Sequence, residues 1–311
     1  MSKFVITGGA GFIGLNLVHQ LAAAGEKIVI YDDFSTAKKK NLRDLPKEVK
    51  VVEGNILELK ELKKCMRSVD YVVHLAGQPS ILKSVKDPMG TLDRNAAGTL
   101  NVLIAGRDAK VKRFIYVGSA AAYGESPSLP KVETMAETPL SPYGVSTIAA
   151  EHQCRVFFNT YGLQTVVLRA FNLYGPYQDP TGPTASVTAK FITTLSEGKA
   201  PVISGDGKQS RDFVHVSDLV EAIKAACIAP KAEGELFNIA TGSRITINGL
   251  VNMVNNILGR EIQPKYEEAR PGDIRHSLAD ITKAQEMLGY RPRTSIMDGL
   301  QSTIDWYKKR R

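Results

Sequence analysis

A glycine-rich stretch near the start of the chain, residues 7–14 (TGGAGFIG), restricts the possible folds more than any other feature of the sequence. An apolar run precedes it and an amphipathic segment follows it, an order that predicts strand, turn and helix. Gly8 permits a tight turn, Gly11 lets backbone amides approach a pyrophosphate, and Gly14 lets the helix pack closely against the strand. Because a helix N-terminus attracts negative charge, the stretch predicts a dinucleotide site.

The second predicted strand, residues 27–31, ends at two acidic residues, Asp32 and Asp33. An acidic side chain at this strand end can accept hydrogen bonds from the adenosine ribose, and its charge repels a 2′-phosphate. The pattern therefore favours NAD over NADP. Three lysines just beyond, residues 38–40, could in principle hold a phosphate and keep NADP open.

Predicted strands and helices alternate through the first half of the chain. The strands are expected at residues 4–6, 27–31, 49–53, 70–75, 113–117 and 165–169, and helices at 15–24, 89–107 and 143–161. Such alternation predicts an α/β fold, a doubly wound parallel Rossmann sheet with helices on both faces, over residues 1–170. Ligands of such sheets bind at the carboxyl ends of the strands.

The composition of the sequence changes after Phe171, where glycine and proline become frequent. Helical patterns follow, together with a short strand-like piece at 236–239; the helices are expected at residues 184–197, 217–229, 247–258, 281–288 and 296–308. We interpret residues 171–311 as a smaller C-terminal α/β substrate lobe that closes over the strand ends, with some segments interleaved between the two parts.

Composition limits the setting and the partners of the chain. The formal net charge of +8 suits an anionic partner, although solvated surface charge explains it as well, and no nucleic-acid motif is present. The sequence has no apolar run long enough for a membrane span. Cys65, Cys154 and Cys227 have neither paired nor metal-ligand spacing, which indicates no metal site and a reducing, cytoplasmic setting.

Further motifs stand at or just after the predicted strand ends, at residues 74–77 (HLAG), 95–99 (NAAGT), 119–124 (SAAAYG), 141–144 (SPYG), 171–176 (FNLYGP), 205–207 (GDG), 211–216 (RDFVHV) and 270–273 (RPGD). With the glycine stretch, they make nearly the whole chain similar to the extended short-chain dehydrogenase/reductase family. The resemblance is to its nucleotide-sugar epimerases and their dehydratase and decarboxylase relatives.

The resemblance implies that Tyr143 is the acid/base and that Ser119 is its hydrogen-bonding partner at the sugar hydroxyl. Ser119 follows a predicted strand and Tyr143 opens a predicted helix, so the two can meet where the nicotinamide would lie. The family usually has a lysine four residues after the tyrosine, on the same helical face, to stabilise the phenolate. This chain has Thr147 there.

Three interpretations of Thr147 remain open: a naturally tolerated variant, an engineered substitution that traps bound substrate, or a retired enzyme. Oxidised nicotinamide carries a positive charge, so part of the phenolate stabilisation would survive. Our hypothesis is that Thr147 lowers turnover and leaves fold and binding intact.

The resemblance also implies a set of binding residues. The cofactor NAD is expected to contact Gly8, Gly11, Phe12, Ile13, Gly14, Asp32, Asp33, Asn55, Ile56, Leu75, Ala76, Gly77, Asn95 and Tyr143. The UDP-sugar substrate is expected to contact Ser80, Ser119, Ala120, Tyr143, Asn172, Arg211, Arg270, Asp273 and Ser277. Asn172, Arg211 and Arg270 match phosphate-contacting positions, and Asp273 a ribose contact. Asn55 stands where an aspartate commonly binds the adenine amine, and its side-chain oxygen could accept that bond.

The residues after Ser119 bear on the type of reaction. Dehydratases of the family carry an Asp-Glu pair there, and decarboxylases usually a glutamate, whereas this chain has Ala120 and Ala121. Epimerisation at C4 through a transient 4-keto sugar needs no such extra groups. Where these epimerases carry a bulky tyrosine that excludes an N-acetyl group, this chain has Ser277, which predicts activity on UDP-GlcNAc/UDP-GalNAc alongside UDP-Glc/UDP-Gal.

Other readings of the site remain open. One is a reductase or uronate epimerase of the same family, and another is a low-activity or non-catalytic nucleotide-sugar-binding protein, suggested by Thr147. The family also pairs its two long helices, here residues 89–107 and 143–161, into a homodimer. Ile148, Val156 and Phe157 could contribute to that interface, although burial within the monomer explains them nearly as well.

Overall fold

The computed structural model describes residues 1–181, 185–269 and 274–310. Its central feature is a seven-stranded sheet in which every pair of neighbouring strands is parallel. The seven strands of this sheet are β1 (Lys3–Thr7), β2 (Lys27–Asp32), β3 (Lys50–Glu53), β4 (Tyr71–His74), β5 (Arg113–Ser119), β6 (Thr165–Ala170) and β11 (Leu236–Ile239). Short strands of the described residues form two-stranded pairs, namely β7 (Leu173–Tyr174) with β10 (Val214–His215), β9 (Ser210–Arg211) with β12 (Ile245–Thr246), and β8 (Val202–Ser204) with β13 (Lys265–Glu267).

The order of strands in the sheet is β11-β6-β5-β4-β1-β2-β3. The chain winds in one direction from β1 to β3 and in the other from β4 onward, so the winding reverses between β1 and β4. In doubly wound sheets a crevice opens at this reversal, outside the carboxyl ends of the strands. The predicted α/β Rossmann architecture is confirmed.

Helices cover the sheet and build the remainder of the chain. They are α1 (Phe12–Ala23), α2 (Leu59–Cys65), α3 (Ile81–Lys86), α4 (Pro88–Leu92), α5 (Gly98–Asp108), α6 (Pro142–Tyr161), α7 (Val187–Ser196), α8 (Val216–Ile228), α9 (Ile247–Leu258), α10 (Thr282–Leu288) and α11 (Ile296–Lys309). Short 3₁₀ turns occupy Lys39–Asp44 and Ala120–Tyr123.

Local chemistry sets the ends of the long helix α6. The Ser141 hydroxyl accepts the backbone N–H of Gly144 at 3.1 Å, and Pro142 occupies the first helical position. The helix stops at Gly162, whose left-handed backbone (φ 68°) suits glycine. These signals start the helix one residue before the predicted position 143.

The segment predicted as one helix over 89–107 consists of three pieces. A π-helical turn, Asp93–Ala97, joins α4 to α5. Such turns insert an extra residue into a helix and are frequent at functional sites. This turn carries Asn95, one of the predicted cofactor contacts.

The strand β11 lies in the central sheet, although the sequence analysis placed residues 236–239 in the smaller lobe. It pairs in parallel with β6, with Leu236 opposite Val167. The helix α8 of the same half packs on α1, so the core around β1 contains residues from both halves. A separate core in the second half lies between α7, α9 and α11, around Ile192, Leu250 and Ile304.

The three apolar residues suggested for a dimer contact have different surroundings. Phe157 is 4% exposed and belongs to the core beneath the sheet, and Ile148 is half-buried. Val156 is 51% exposed, so it alone of the three points out of the monomer. Across the described ranges, none of the helices has the length and apolar character needed to cross a membrane.

Candidate active site

A cavity of about 1070 Å³ opens at the carboxyl ends of the strands, between the two halves of the chain. This volume is slightly above the usual range for ligand sites, about 300–1,000 Å³. The predicted site residues that line it are Gly8, Gly11, Phe12, Ile13, Gly14, Asp32, Asp33, Ile56, Leu75, Ala76, Gly77, Asn95, Ser119, Ala120, Tyr143, Thr147, Asn172, Arg211 and Ser277. One enclosure thus brings together the predicted cofactor, catalytic and substrate residues.

The glycine turn between β1 and α1 forms one end of the cavity. Gly8 has a positive φ of 70°, and a Cβ there would lie 2.6 Å from the backbone nitrogen of Ala76. A Cβ on Gly14 would lie 2.5 Å from the Cα of Gly9, so this glycine lets α1 pack against the turn. The N-cap of α1 is Gly11, which has no side chain to cap the first turn. The N–H groups of that turn can therefore receive a pyrophosphate, and the cradle fits NAD.

The two acidic residues at the end of β2 have different tasks. The buried carboxylate of Asp32 accepts the N–H of Ala10 at 3.0 Å and that of Phe34 at 2.9 Å, so it braces the glycine turn. Burial raises the pKa of this carboxyl. Asp33 is exposed at the cavity and bonds Ser35 through one of its oxygens. Both carboxylates line the cavity, so the predicted ribose contact of Asp32 and Asp33 stays a prediction for each.

Two of the three lysines that kept NADP open are engaged with acidic partners. Lys38 forms an ion pair with Asp179 at 2.6 Å, and Lys39 forms one with Glu53 at 2.6 Å. Because Lys38 and Lys39 are already paired with carboxylates, less positive charge is left near Asp33 to balance a 2′-phosphate. This arrangement agrees with NAD as the cofactor.

Two predicted contact residues have other partners in the structure. The Asn55 side-chain oxygen accepts the backbone N–H of Leu57 at 2.9 Å, and its amide nitrogen faces Asp33 at 3.4 Å. The Ser80 hydroxyl caps α3 by accepting the N–H of Lys83 at 3.2 Å. Ser80 is buried at 4% exposure behind the cavity wall. The predicted cofactor role of Asn55 and the predicted substrate role of Ser80 stay predictions.

Asn95 is fixed from three sides beside the cavity. Its side-chain oxygen accepts the N–H of Gln78 at 2.6 Å, and its amide donates to the Ser146 hydroxyl at 2.9 Å and to the Gln78 carbonyl at 3.1 Å. The π-helical turn directs Asn95 toward α6. It thereby joins the loop after β4 to the helix that carries Tyr143.

Ser119 and Tyr143 meet on the cavity wall. Ser119 is the last residue of β5, and its hydroxyl accepts the N–H of Ala121 at 3.2 Å. Burial raises the pKa of the Tyr143 phenol, while its hydrogen bond with Ser119 lowers that pKa and the Glu151 carboxylate raises it. The pair has the arrangement of a proton-transfer site, but burial opposes ionisation of its phenol by raising the pKa of Tyr143.

Thr147 lies one turn after Tyr143 on the same helix and lines the cavity. Its side chain is 3% exposed, and its hydroxyl donates to the carbonyl of Gly144 at 2.8 Å. The hydroxyl is therefore used within the helix and brings no charge to the phenol.

The substrate end of the cavity comes from the second half of the chain. The Asn172 amide donates to the carbonyl of Asp212 at 3.0 Å, and Arg211 lies in β9 on the cavity wall. The Ser277 backbone N–H donates to the carbonyl of Ser210 at 3.0 Å, which places this small side chain beside Arg211. The predicted contacts Arg270 and Asp273 lie outside the described residues.

The sequence analysis missed part of the wall near the glycine turn, which is formed by Asn41, Tyr177, Gln178 and Asp179. Tyr177 follows the 171–176 motif within a glycine- and proline-rich loop, and its φ of 68° is unusual for a tyrosine. The sequence signal for this part of the wall was Asp179, three residues after the motif. Its carboxylate carries the charge opposite to that of Lys38.

Comparison with known proteins agrees with this geometry. The model of the NAD dependent epimerase/dehydratase family matches residues 4–240. UDP-glucose 4-epimerase of Mycolicibacterium smegmatis is 33% identical over 317 residues, covering 99% of each chain.

Two solved structures are similar over the whole chain. One is a UDP-N-acetylglucosamine 4-epimerase from Methanobrevibacter ruminantium in complex with UDP-N-acetylmuramic acid, with TM-score 0.95, 34% identity, and coverage of 100% of this chain and 99% of that one. The other is a UDP-glucose 4-epimerase from Thermotoga maritima with UDP-glucose, with TM-score 0.94, 36% identity and 99% coverage of each chain.

Proposed function

The chain belongs to the NAD-dependent epimerase/dehydratase family, and from this premise we propose that it inverts C4 of a UDP-sugar through a 4-keto intermediate. The observation that carries the proposal is that Tyr143 and Ser119 meet on the cavity wall. Ser119 is followed there by two alanines, Ala120 and Ala121. The preferred pair is UDP-GlcNAc/UDP-GalNAc, with UDP-Glc/UDP-Gal as a second pair.

In the proposed reaction, the Tyr143 phenolate oxygen accepts the proton of the sugar 4-hydroxyl while the Ser119 hydroxyl holds that oxygen in place. The glycine turn and the acidic end of β2 would hold NAD, which would supply a reversible hydride acceptor for C4 and would be regenerated in each cycle. The 4-keto sugar turns within the cavity between the two steps. Tyr143 then gives its proton back to the C4 oxygen, and the product has inverted configuration at C4 with no net redox change.

Ala120 and Ala121 favour epimerisation over elimination of water or loss of a carboxyl group. Elimination requires a second acid and base beside the sugar, and methyl side chains supply neither. Both alanines line the cavity after Ser119, in the 3₁₀ turn Ala120–Tyr123.

Ser277 supports the N-acetylated pair. Its side chain is small, half-buried and lines the same cavity as Arg211 and Phe213, so we expect the wall to leave room for a 2-acetamido group. A tyrosine at this position would fill that space. Ser277→Tyr should therefore lower kcat/KM for UDP-GlcNAc by about tenfold or more and change kcat/KM for UDP-Glc by less, because steric exclusion acts on the larger substituent.

The test is to assay all four sugars with the unmodified chain, following isomer interconversion by NMR without added NAD. We expect both directions of the N-acetylated pair to proceed. Ser277→Thr, which adds one methyl group, is the matched control and should keep the preference. Conversion of UDP-Glc with no turnover of UDP-GlcNAc would contradict the proposed substrate preference.

A second candidate, a nucleotide-sugar-binding protein without turnover, is favoured by Thr147. The Thr147 hydroxyl is bonded within the helix, and the pKa of Tyr143 is raised by burial. Tight binding of NAD and UDP-sugar with no interconversion, in Thr147→Lys as well, would support this candidate.

We also propose that the chain forms a homodimer through α5 and α6. Val145 and Val156 are 48% and 51% exposed. They are eleven residues apart, close to three helical turns, and so share one face of α6. Leu100, 37% exposed, adds an apolar side chain on α5, which packs beside α6. A second copy of the chain would cover these side chains.

A further inference from the structure

We propose that a clamp formed by Lys38, Asp179, Tyr177 and Arg310 holds two loops closed beside NAD and sets the rate at which the cofactor leaves. The proposal concerns the side of the cavity near the glycine turn, where the sequence analysis assigned no role beyond phosphate-binding lysines. It rests on NAD binding and is independent of which sugar reacts.

Two loops form this side of the cavity. The first follows β2 and supplies Lys38 and Asn41, and the second follows β7 and supplies Tyr177 and Asp179. The Lys38 ammonium and the Asp179 carboxylate join the loops at 2.6 Å, with 48% and 38% of the two side chains exposed. Because all four residues line the cavity, parting of these loops would enlarge its opening.

The residue after α11 joins the same two loops from outside. The Arg310 guanidinium donates to the Asn41 side-chain oxygen at 3.0 Å and pairs with Asp44. Asn41 lines the cavity, and Asp44 follows it three residues later in the first loop. The same guanidinium lies 4.8 Å from the ring centres of both Tyr177 and Trp306. Arg310 thus bonds one loop and stacks on the other.

Tyr177 is held in an unusual backbone conformation that the clamp helps to maintain. Its φ of 68° is unfavourable for a side chain of this size. The phenol hydroxyl bonds His19 at 2.8 Å, and the ring packs on Trp306 at 4.9 Å. The neighbouring Pro176 carbonyl accepts the Asn16 amide at 2.9 Å, which fixes the loop against α1 near the glycine turn.

The function of such a clamp follows from the catalytic cycle. An epimerase that returns its hydride must keep the cofactor through every turnover, and the oxidised and reduced forms must both stay bound. The glycine cradle supplies affinity, whereas the two joined loops supply a barrier to exit. Lys38 and Arg310 are accordingly positioning residues that act through the loops.

The experiment measures NAD dissociation directly, by displacement of bound cofactor into a trapping excess of a competing dinucleotide. Arg310→Ala and Lys38→Met are each expected to raise the NAD dissociation rate by about threefold to fivefold, the upper part of the range for an exposed stacked cation and a half-exposed ion pair. Lys309→Ala, a neighbouring exposed cation, is the matched control and should leave the rate unchanged. Thermal unfolding of the cofactor-free variants verifies that they fold.

Asp179→Asn separates the clamp from direct attraction between Lys38 and the cofactor phosphates. If Lys38 acts on NAD directly, removing its acidic partner leaves the dissociation rate unchanged or lower. The clamp requires Asp179→Asn to raise the rate about as much as Lys38→Met does. It also requires added salt to speed NAD loss in the unmodified protein more than in Lys38→Met. The proposal would be overturned if Arg310→Ala changed the NAD dissociation rate by less than twofold, or if Asp179→Asn left that rate unchanged.

Discussion

At the scale of single residues, the pKa of the Tyr143 phenol is the quantity on which turnover depends. Burial raises this pKa and Glu151 raises it further, so at neutral pH little phenolate is present. Thr147 brings no charge to offset either effect. The catalytic rate of the unmodified chain should therefore increase as the pH rises through the mildly alkaline range, toward the pKa of Tyr143.

Thr147→Lys should shift the rise of the catalytic rate with pH to lower pH. A nearby ammonium stabilises the phenolate and lowers the pKa of Tyr143, so kcat at pH 7 should rise by about tenfold or more. The measurement is kcat against pH for both forms. Thr147→Met, similar in length but uncharged, is the control and should keep the original profile. A lysine variant with an unshifted profile would show that charge at position 147 is not what limits the reaction.

The contacts of single residues also show what the sequence could predict about the site. The glycine turn, Ser119, Tyr143 and Arg211 were predicted because their motifs fix both residue type and position, and all of them line one cavity. The division of work between Asp32 and Asp33 was not predictable. Asp32 and Asp33 are adjacent residues of the same type, so the sequence does not distinguish them. Only the fold decides which carboxylate turns inward to accept the N–H of Ala10.

At the scale of secondary-structure elements, periodicity predicted the helices well. The helix α9 has its predicted bounds, because its apolar residues recur at helical spacing and Gly259 ends it in a left-handed conformation. The π-helical turn Asp93–Ala97 was missed, since its composition does not differ from that of an ordinary helix. The place of β11 was also missed, because four residues of strand can pair with any free sheet edge.

The exposed face of α6 gives a prediction at the same scale. Val156→Glu should convert the proposed homodimer to a monomer, because an ionised carboxylate buried at an apolar contact costs more than the contact gains. Sedimentation velocity distinguishes one 33.9 kDa chain from two. Ile228→Glu, at an apolar position 73% exposed on α8, is the control and should leave the mass unchanged. A monomeric unmodified chain, or a variant that stays dimeric, would contradict the proposed interface.

At the scale of the whole molecule, the two halves share one core. The strand β11 completes the sheet that carries the glycine turn, and Phe237 on that strand is fully buried together with Leu219 of α8 and Ile6 of β1. The cofactor sheet therefore depends on residues far along the chain. We expect both halves to unfold together, in one cooperative transition.

Phe237→Ala tests this coupling, because it removes a large side chain from the shared core and should lower the free energy of unfolding by about 3–5 kcal/mol. Urea unfolding is followed by the fluorescence of Trp306, the single tryptophan, which reports on α11, and by far-ultraviolet circular dichroism, which reports on the whole chain. Both midpoints should fall by the same amount, and Val202→Ala, at a position 52% exposed, should change neither appreciably. If the tryptophan midpoint stayed in place while the dichroism midpoint fell, the helices of the second half would be stable without the sheet, and the shared core would not be what joins the cofactor and substrate sides of the cavity.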